Sequence, residues 1–311
     1  MLRSARHGAS IPAQMAAASV VPAAYGVRPR TFRTMLFADI ALAARIERAE
    51  CRLLASNAAA IARARPDAGG FLRELAGGVA CYTGPDSPLN KIAGLGFGGT
   101  LDEDRLAEVE QAYAERGAPV QLEVATLADR AIAALLTRRG YVLQGHENVL
   151  GLPLPRPERP PVDGVEVAPV GDDDGEAWIS VLLDGFATPD GQGVGSHESF
   201  PRAALEQILR DLACNASIVR YLARRAGVPA GGASMAVTDG IAQLCGAATL
   251  PAHRRRGVQA ELLRTRLAEA GALGSDVAVI TTEPGSKSQQ NAARQGFALL
   301  YSRAVLVRAP G

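Results

Sequence analysis

The stretch Pro251-Ala252-His253-Arg254-Arg255-Arg256-Gly257-Val258-Gln259-Ala260 sets three consecutive arginines before a glycine. The recurrence of Val258, Leu262, Leu263, Leu267 and Ala270 marks that point as the start of an amphipathic helix. The first turn of a helix has amide N–H groups without intrahelical partners, set beside the positive end of the helix dipole. With guanidinium groups around them, and no Cβ on Gly257 to hold a ligand off the backbone, these amides form a seat for a diphosphate. A solvated basic helix start is the competing account. A P-loop is not the explanation, because G-x-x-x-x-G-K-[ST] does not occur in the chain.

A second motif, Gly94-Leu95-Gly96-Phe97-Gly98-Gly99, matches the G-x-G-x-x-G turn of dinucleotide-binding proteins. Its electrostatics have the wrong sign for that use. Thr100 and Glu103 form a plausible capping box, and Asp102, Glu103 and Asp104 fill the first helical turn, where they would repel a diphosphate. A structural strand-turn-helix connection is expected here.

The chain that positions these motifs has 311 residues, 48% of them apolar and 21% charged, about twice the usual domain size. Two compact domains are expected. A formal net charge of +1 supplies no general field for a polyanion, which argues against nucleic acid as the main partner. No run approaches the roughly 20 uninterrupted apolar residues that a bilayer requires, so a soluble, cytoplasmic protein with no membrane partner is expected. Cys51, Cys81, Cys214 and Cys245 are scattered, without C-x-x-C or zinc-like histidine spacing, and indicate neither a disulfide framework nor a metal site.

Residues 1–34 contain no acidic side chain and no periodic pattern. They are expected to be a disordered tail outside the fold, with a targeting peptide as the alternative. A first half, 35–152, reads as a helix at 38–64, a strand at 78–82, a helix at 101–116, a strand at 119–124, a helix at 127–139 and a strand at 141–152. Five prolines within residues 152–161 then mark a linker at 153–163. The second half, 164–311, reads as β-α-α-β-β-β-α-β-α-β-β, with a Gly-rich loop at 187–200 between its first two helices and a final pair of strands.

On that element order, on Arg254-Arg255-Arg256-Gly257-Val258 and on the closing Gly296-Phe297, residues 165–308 resemble the GNAT-type N-acetyltransferase superfamily. Gln259 departs from the motif where Gly or Ala is usual, and Ala260 follows. The first half is similar to a degenerate copy of the same fold, through Cys81 to Asn90 and through Gly140-Tyr141 after a helix. The resemblance implies an α/β (α+β) architecture of two GNAT-like domains, each a mixed, largely antiparallel sheet flanked by helices. It implies acetyl-CoA as co-substrate, no metal, a small-molecule amine or a peptide as acceptor, and transfer by direct attack in a ternary complex. A homodimer is compatible with it.

The resemblance also assigns roles. Ala247, Ala248 and Thr249 would run beside the pantetheine arm, and Arg254, Arg255, Arg256, Gly257, Val258, Gln259 and Ala260 would hold the diphosphate. Ser288 and Asn291, at i and i+3 of the short helix, could bond the arm, with helix capping as the competing account. An alkyl ammonium of pKa about 10.4 is neutral in roughly one molecule per 2,500 at pH 7, so a base is needed. Glu283 is the candidate. Ala292 stands where many members carry a tyrosine acid for the thiolate, and Tyr301 is the nearest replacement. His253 could touch phosphate, and Asp190, His197 and Glu198 in the 187–200 loop could meet the acceptor. The alternative function is acyl-CoA binding without transfer, as a sensor or interaction module.

Overall fold

The computed structural model describes residues 36–188, 191–195 and 200–310. Residues 35–311 form one compact unit. It opens with α1 (Ile40–Ala64), whose first turn is capped by Asp39 accepting from the Leu42 amide. The first half continues through β1 (Phe71–Leu75), β2 (Gly78–Tyr82), β3 (Lys91–Ala93), α2 (Glu103–Ala114), β4 (Val120–Ala125), α3 (Arg130–Arg138) and β5 (Val142–Pro153). The second half contributes β6 (Glu166–Pro169), α4 (Gly175–Ala187), α5 (Arg202–Ala213), β7 (Ile218–Arg225), β8 (Val228–Thr238), β9 (Ile241–Thr249), α6 (Val258–Ala272), β10 (Val277–Thr282), α7 (Lys287–Arg294) and β11 (Ala298–Arg308).

All these strands join one mixed, mostly antiparallel sheet in the order β1-β2-β3-β4-β11-β5-β10-β9-β8-β7-β6. Two connections are parallel crossovers, β3-α2-β4 and β9-α6-β10. In this order β1 to β4 lie at one end and β6 to β10 at the other, with β11 and β5 exchanged between them. β11 pairs with β4 of the first half from Arg303↔Ala125 to Arg308↔Val120. In return β5 pairs with β10 of the second half from Val277↔Pro153 to Thr282↔Asn148. The two exchanged strands also pair with each other. The two expected sheets are therefore continuous.

Alternation along each strand divides the core into two faces. Ala242, Leu244, Ala278, Leu150 and Leu152 pack with Val258, Leu262 and Leu263 of α6. Ile241, Val277, Val279, Val149 and Tyr301 point the other way, under Ala43, Ile46 and Ala49 of α1. α4 lies on the α1 side: a Cβ on Gly232 would meet Trp178 and Leu182, whereas one on Gly231 would meet Val258 and Leu262.

Several expectations are corrected. β1 was not anticipated, because it is an edge strand paired only with β2 and its middle residues are exposed, so it lacks a buried face that would give period two. The expected final pair of strands is the single β11, whose register shifts between Leu299 and Tyr301 and again between Val305 and Leu306 break the alternation. α2 starts two residues later than expected, with Asp102 accepting from the Asp104 and Arg105 amides in place of a Thr100 box. The proline-rich segment after β5 is docked on the fold, since the Val162 amide donates to Glu261 Oε2 at 2.8 Å.

Candidate functional site

β9 and β10 run parallel for three pairs, Val277↔Ile241, Ala278↔Ala242 and Val279↔Gln243, and then separate. Beyond that point β9 stays with β8 as far as Gly231↔Thr249, while β10 stays with β5. A register shift between Gly232 and Ser234, opposite Gly246 at φ 54°, bends β9 away from its neighbour. The Leu250 amide is bonded to Ala230 O on the β8 side. Strand N–H groups alternate in direction, so the Thr249 amide is turned to the opening. Ala247 is exposed, while Ala248 and Thr249 are half-buried. Ala248 also has a packing role: a Cβ on Gly185 of α4 would lie 2.5 Å from the Ala248 Cβ, so helix and strand touch at backbone distance.

The opening leads to the N-terminus of α6. Arg255 at φ 57° and Gly257 at φ 83° wind the chain into the helix, and no side chain caps it. Among the described residues, the amides of Arg255, Arg256, Gly257, Val258, Gln259 and Ala260 have no hydrogen-bond partner. The guanidinium groups divide. Arg254 is half-buried and donates to Thr249 O at 3.3 Å and to Thr188 O, pinning the turn to the end of α4, whereas Arg255 and Arg256 are exposed. The space next to Gly257 differs from the expectation, because a Cβ there would stand 2.4 Å from Val162 Cγ1. The missing Cβ makes room for the docked linker and not for a ligand. His253 is half-buried, with Nδ1 shielded from solvent.

Across from α6, Asn291 Nδ2 donates to Gln259 Oε1 at 2.7 Å, bringing together two residues expected at the cofactor. Ser286, and not Ser288, caps α7 by accepting from the Gln289 amide. Ser288 is exposed. Glu283 follows β10 directly and is half-buried, and its carbonyl accepts from the Ser286 amide. The loop after α4 reaches this turn, with the Val194 amide on Gly285 O and Lys287 Nζ on Gln192 Oε1 at 2.8 Å. Asp190, His197 and Glu198 lie outside the described residues.

Tyr301 is placed differently from the expectation. It is 5% exposed under α1, and its hydroxyl donates to Glu47 Oε1 at 2.7 Å. Burial, reinforced by the Glu47 charge, raises its pKa. It lies on β11, with β5 and β10 between it and the opening.

The α1 side of the sheet carries a row of charges that the sequence did not announce. Lys91 Nζ lies 3.0 Å from Glu50 and 2.9 Å from Glu123. Arg303 reaches Glu47 at 2.8 Å, Glu123 at 3.4 Å and Glu147 at 3.6 Å. Gln243, at the last pair before the strands separate, donates to Glu50 Oε2 at 2.9 Å. Burial works against an ionised Glu50, but the charges of Lys91 and Arg303 and the hydrogen bonds from Lys91 and Gln243 outweigh it and hold the carboxyl at about 2. Glu147 goes the other way: burial first, then the Glu123 charge, push it up to about 8. No local signal could have found this row, because its members come from α1, β3, β4, β5, β9 and β11 and share no spacing.

Among the described residues no helix is long and apolar enough to cross a membrane, and no group of His, Cys, Asp and Glu could hold a metal ion. Residues 186–297 match the family model described as acetyltransferase (GNAT) family. A GCN5-related N-acetyltransferase from Kribbella flavida is similar in structure, with a TM-score of 0.57 and 20% identity over 84% of this chain and 95% of that one. A tandem GNAT protein from the clavulanic acid biosynthesis pathway gives a TM-score of 0.53 and 12% identity over 78% of this chain and 79% of that one. No curated protein sequence matches. The separated strands, the uncapped arginine-flanked helix and the match of residues 186–297 to the GNAT acetyltransferase family model all fall in one region, and the fold around them is similar to that of a tandem GNAT protein.

Proposed function

We propose that the protein transfers an acetyl group from acetyl-CoA to an amine by direct attack, with the second half holding the co-substrate. The observation that carries this reading is the set of unpartnered amides from Arg255 to Ala260 at the mouth of the β9/β10 opening. Exposed N–H groups at a helix start, with Arg255 and Arg256 beside them, fit a diphosphate. Arg254 supports the turn from behind. The arm would lie along Ala247, Ala248 and Thr249, where the Thr249 amide is aimed into the opening and suits a thioester oxygen that becomes negative on attack. Gln259 and Asn291 would meet the co-substrate as a bonded pair, with Ser288 exposed beside them.

Glu283, at the end of β10, is the proposed base for the attacking nitrogen, directly or through a water. The acceptor, a small amine or a peptide amino terminus, would enter on the α1 side, beneath the loop after α4. The position of Tyr301 favours a second reading, in which acetyl-CoA is bound but not used, since the expected acid for the thiolate is absent from the opening.

One experiment separates the two. Acetyl-CoA is titrated calorimetrically into the full chain, and thiol release is then followed with tryptamine, spermidine, kanamycin and an alanyl peptide. Binding with thiol release on one of these amines supports transfer. Binding without release on any amine supports the module, and no binding sinks both.

A further inference from the structure

Between an ammonium and an amide, a nitrogen sheds two protons; one ends on the departing sulfur and the other must leave the site. The charged row under α1 sets four carboxylates, Glu47, Glu50, Glu123 and Glu147, against Lys91 and Arg303. Three of the four are committed. Glu50 accepts from Lys91 through one oxygen and from Gln243 through the other. Glu123 takes Lys91 and Arg303 and is 2% exposed. Glu47 takes Tyr301 and Arg303 on Oε1 and is 1% exposed.

Glu147 differs in its pairing, since no hydrogen bond joins it to Lys91 or Arg303, although Glu47 Oε2 is also without a partner and Glu50, 15% exposed, is nearly as open. Its contact with Arg303 is 3.6 Å, outside hydrogen-bonding distance, its Oε2 has no partner, and 19% of its side chain meets solvent. Its position is also distinctive. Thr282↔Asn148 is the last pair of β10 and β5, so Glu283 and Glu147 stand one residue further on adjacent strands. By strand alternation both face the α1 side, the side on which Gln243 marks the separation of β9 from β10.

We propose that Glu147, supplied by the first half, is a catalytic proton acceptor of the transfer reaction. The inference rests on the transfer reading above. An ammonium R–NH3+ gives its first proton to the Glu147 carboxylate, and the neutral amine attacks the thioester carbonyl carbon. An N–C bond forms and the C–S bond breaks. The second nitrogen proton passes by way of Glu283 to the thiolate, which leaves as thiol, and Glu147 returns its proton to solvent. The charged groups acting on Glu147 are Glu50 from α1, Lys91 from β3, Glu123 from β4 and Arg303 from β11, with Glu283 beside it in the β10/β5 register. Burial and the Glu123 charge raise its carboxyl to about 8, against Lys91 and Arg303, which suits a base working near neutral pH.

The test uses the full chain, acetyl-CoA and the fastest amine of the panel. The wild-type kcat should rise with pH through an ionisation near 8. Glu147→Gln should lower kcat about 100-fold and abolish that limb while leaving the acetyl-CoA Kd unchanged, and Glu147→Asp should keep the limb at a lower rate. A Glu147→Gln enzyme that keeps the wild-type limb, or whose kcat falls less than about twofold, overturns the proposal. If Glu147→Gln does not fold, as judged by circular dichroism, the wild-type profile decides: a kcat flat across the neutral range overturns it. A wild type that binds no acetyl-CoA sinks the transfer reading itself, so the two failures are distinguishable.

Discussion

The turn from β3 into α2 and the turn from β9 into α6 have the same topology and opposite outcomes. Each lies in a parallel crossover that follows an antiparallel hairpin, β2-β3 in one case and β8-β9 in the other. After β3 the chain folds inward. Leu95 is 1% exposed, Asp129 N donates to Gly96 O at 3.3 Å, and a Cβ on Gly94 would lie 2.2 Å from Cys51 Sγ of α1. The first turn of α2 is then closed by the Asp102 carboxylate. After β9 the chain turns outward, Gly257 offers no cap, and the amides stay unspent. A helix start becomes a ligand site only when neither its own cap nor its own loop has consumed the donors.

The strongest way to break this comparison is Gly94→Ala. The new Cβ would meet Cys51 in a backbone held at φ 77°, and a destabilisation of about 3 kcal/mol is expected by urea denaturation. Calorimetry on the folded fraction should show acetyl-CoA affinity unchanged. A stable Gly94→Ala variant would mean that this loop does not fill its crossover. Next in size is the double substitution Arg255→Glu with Arg256→Glu, expected to weaken acetyl-CoA binding about 100-fold, or about 2.7 kcal/mol, with a melting temperature close to that of the wild type. An unchanged Kd would remove the diphosphate assignment.

The matching change on the closed side, Asp102→Ala, should cost about 1 kcal/mol of stability and nothing in acetyl-CoA affinity. A gain in affinity at α2 would show that the cap alone separates the two turns. Smallest is Arg45→Ala, which cuts the ion pair between α1 and Asp276 next to β10, with an effect below about 1 kcal/mol because both side chains are partly exposed. The hydrogen bond from Arg45 holds the Asp276 carboxyl below its ordinary value. A depressed carboxyl stabilises the fold above its unfolded pKa and loses that contribution as pH falls through the folded one, so the difference from wild type should vanish in acid. A difference that persists in acid would assign the effect to packing.

Much of this site was legible because its signals are local. Arg254 to Gln259 sit on one turn, and the five prolines within residues 152–161 mark a connection. The roles of individual side chains were less legible. Arg254 and Arg255 are chemically the same, yet one is spent on carbonyls of Thr188 and Thr249 and the other is exposed, a difference set by the fold around them. Tyr301 looked like a neighbour of the site because Gly296-Phe297 is near in sequence, but β11 crosses to the other half of the sheet and carries it under α1.

Sequence alone determined the helices and most of the strands, missing the edge strand β1 and splitting β11, together with the acidic sign of one crossover turn and the basic sign of the other, because capping, periodicity and turn chemistry act over a few residues. Tertiary structure decided the exchange of β5 and β11, the burial of Leu95 after β3 and the assembly of Glu50, Lys91, Glu123, Glu147 and Arg303 in a single row. Strand pairing and ion pairing depend on which backbones lie a few ångströms apart across the sheet, and that distance is not written in the spacing of residues along the chain.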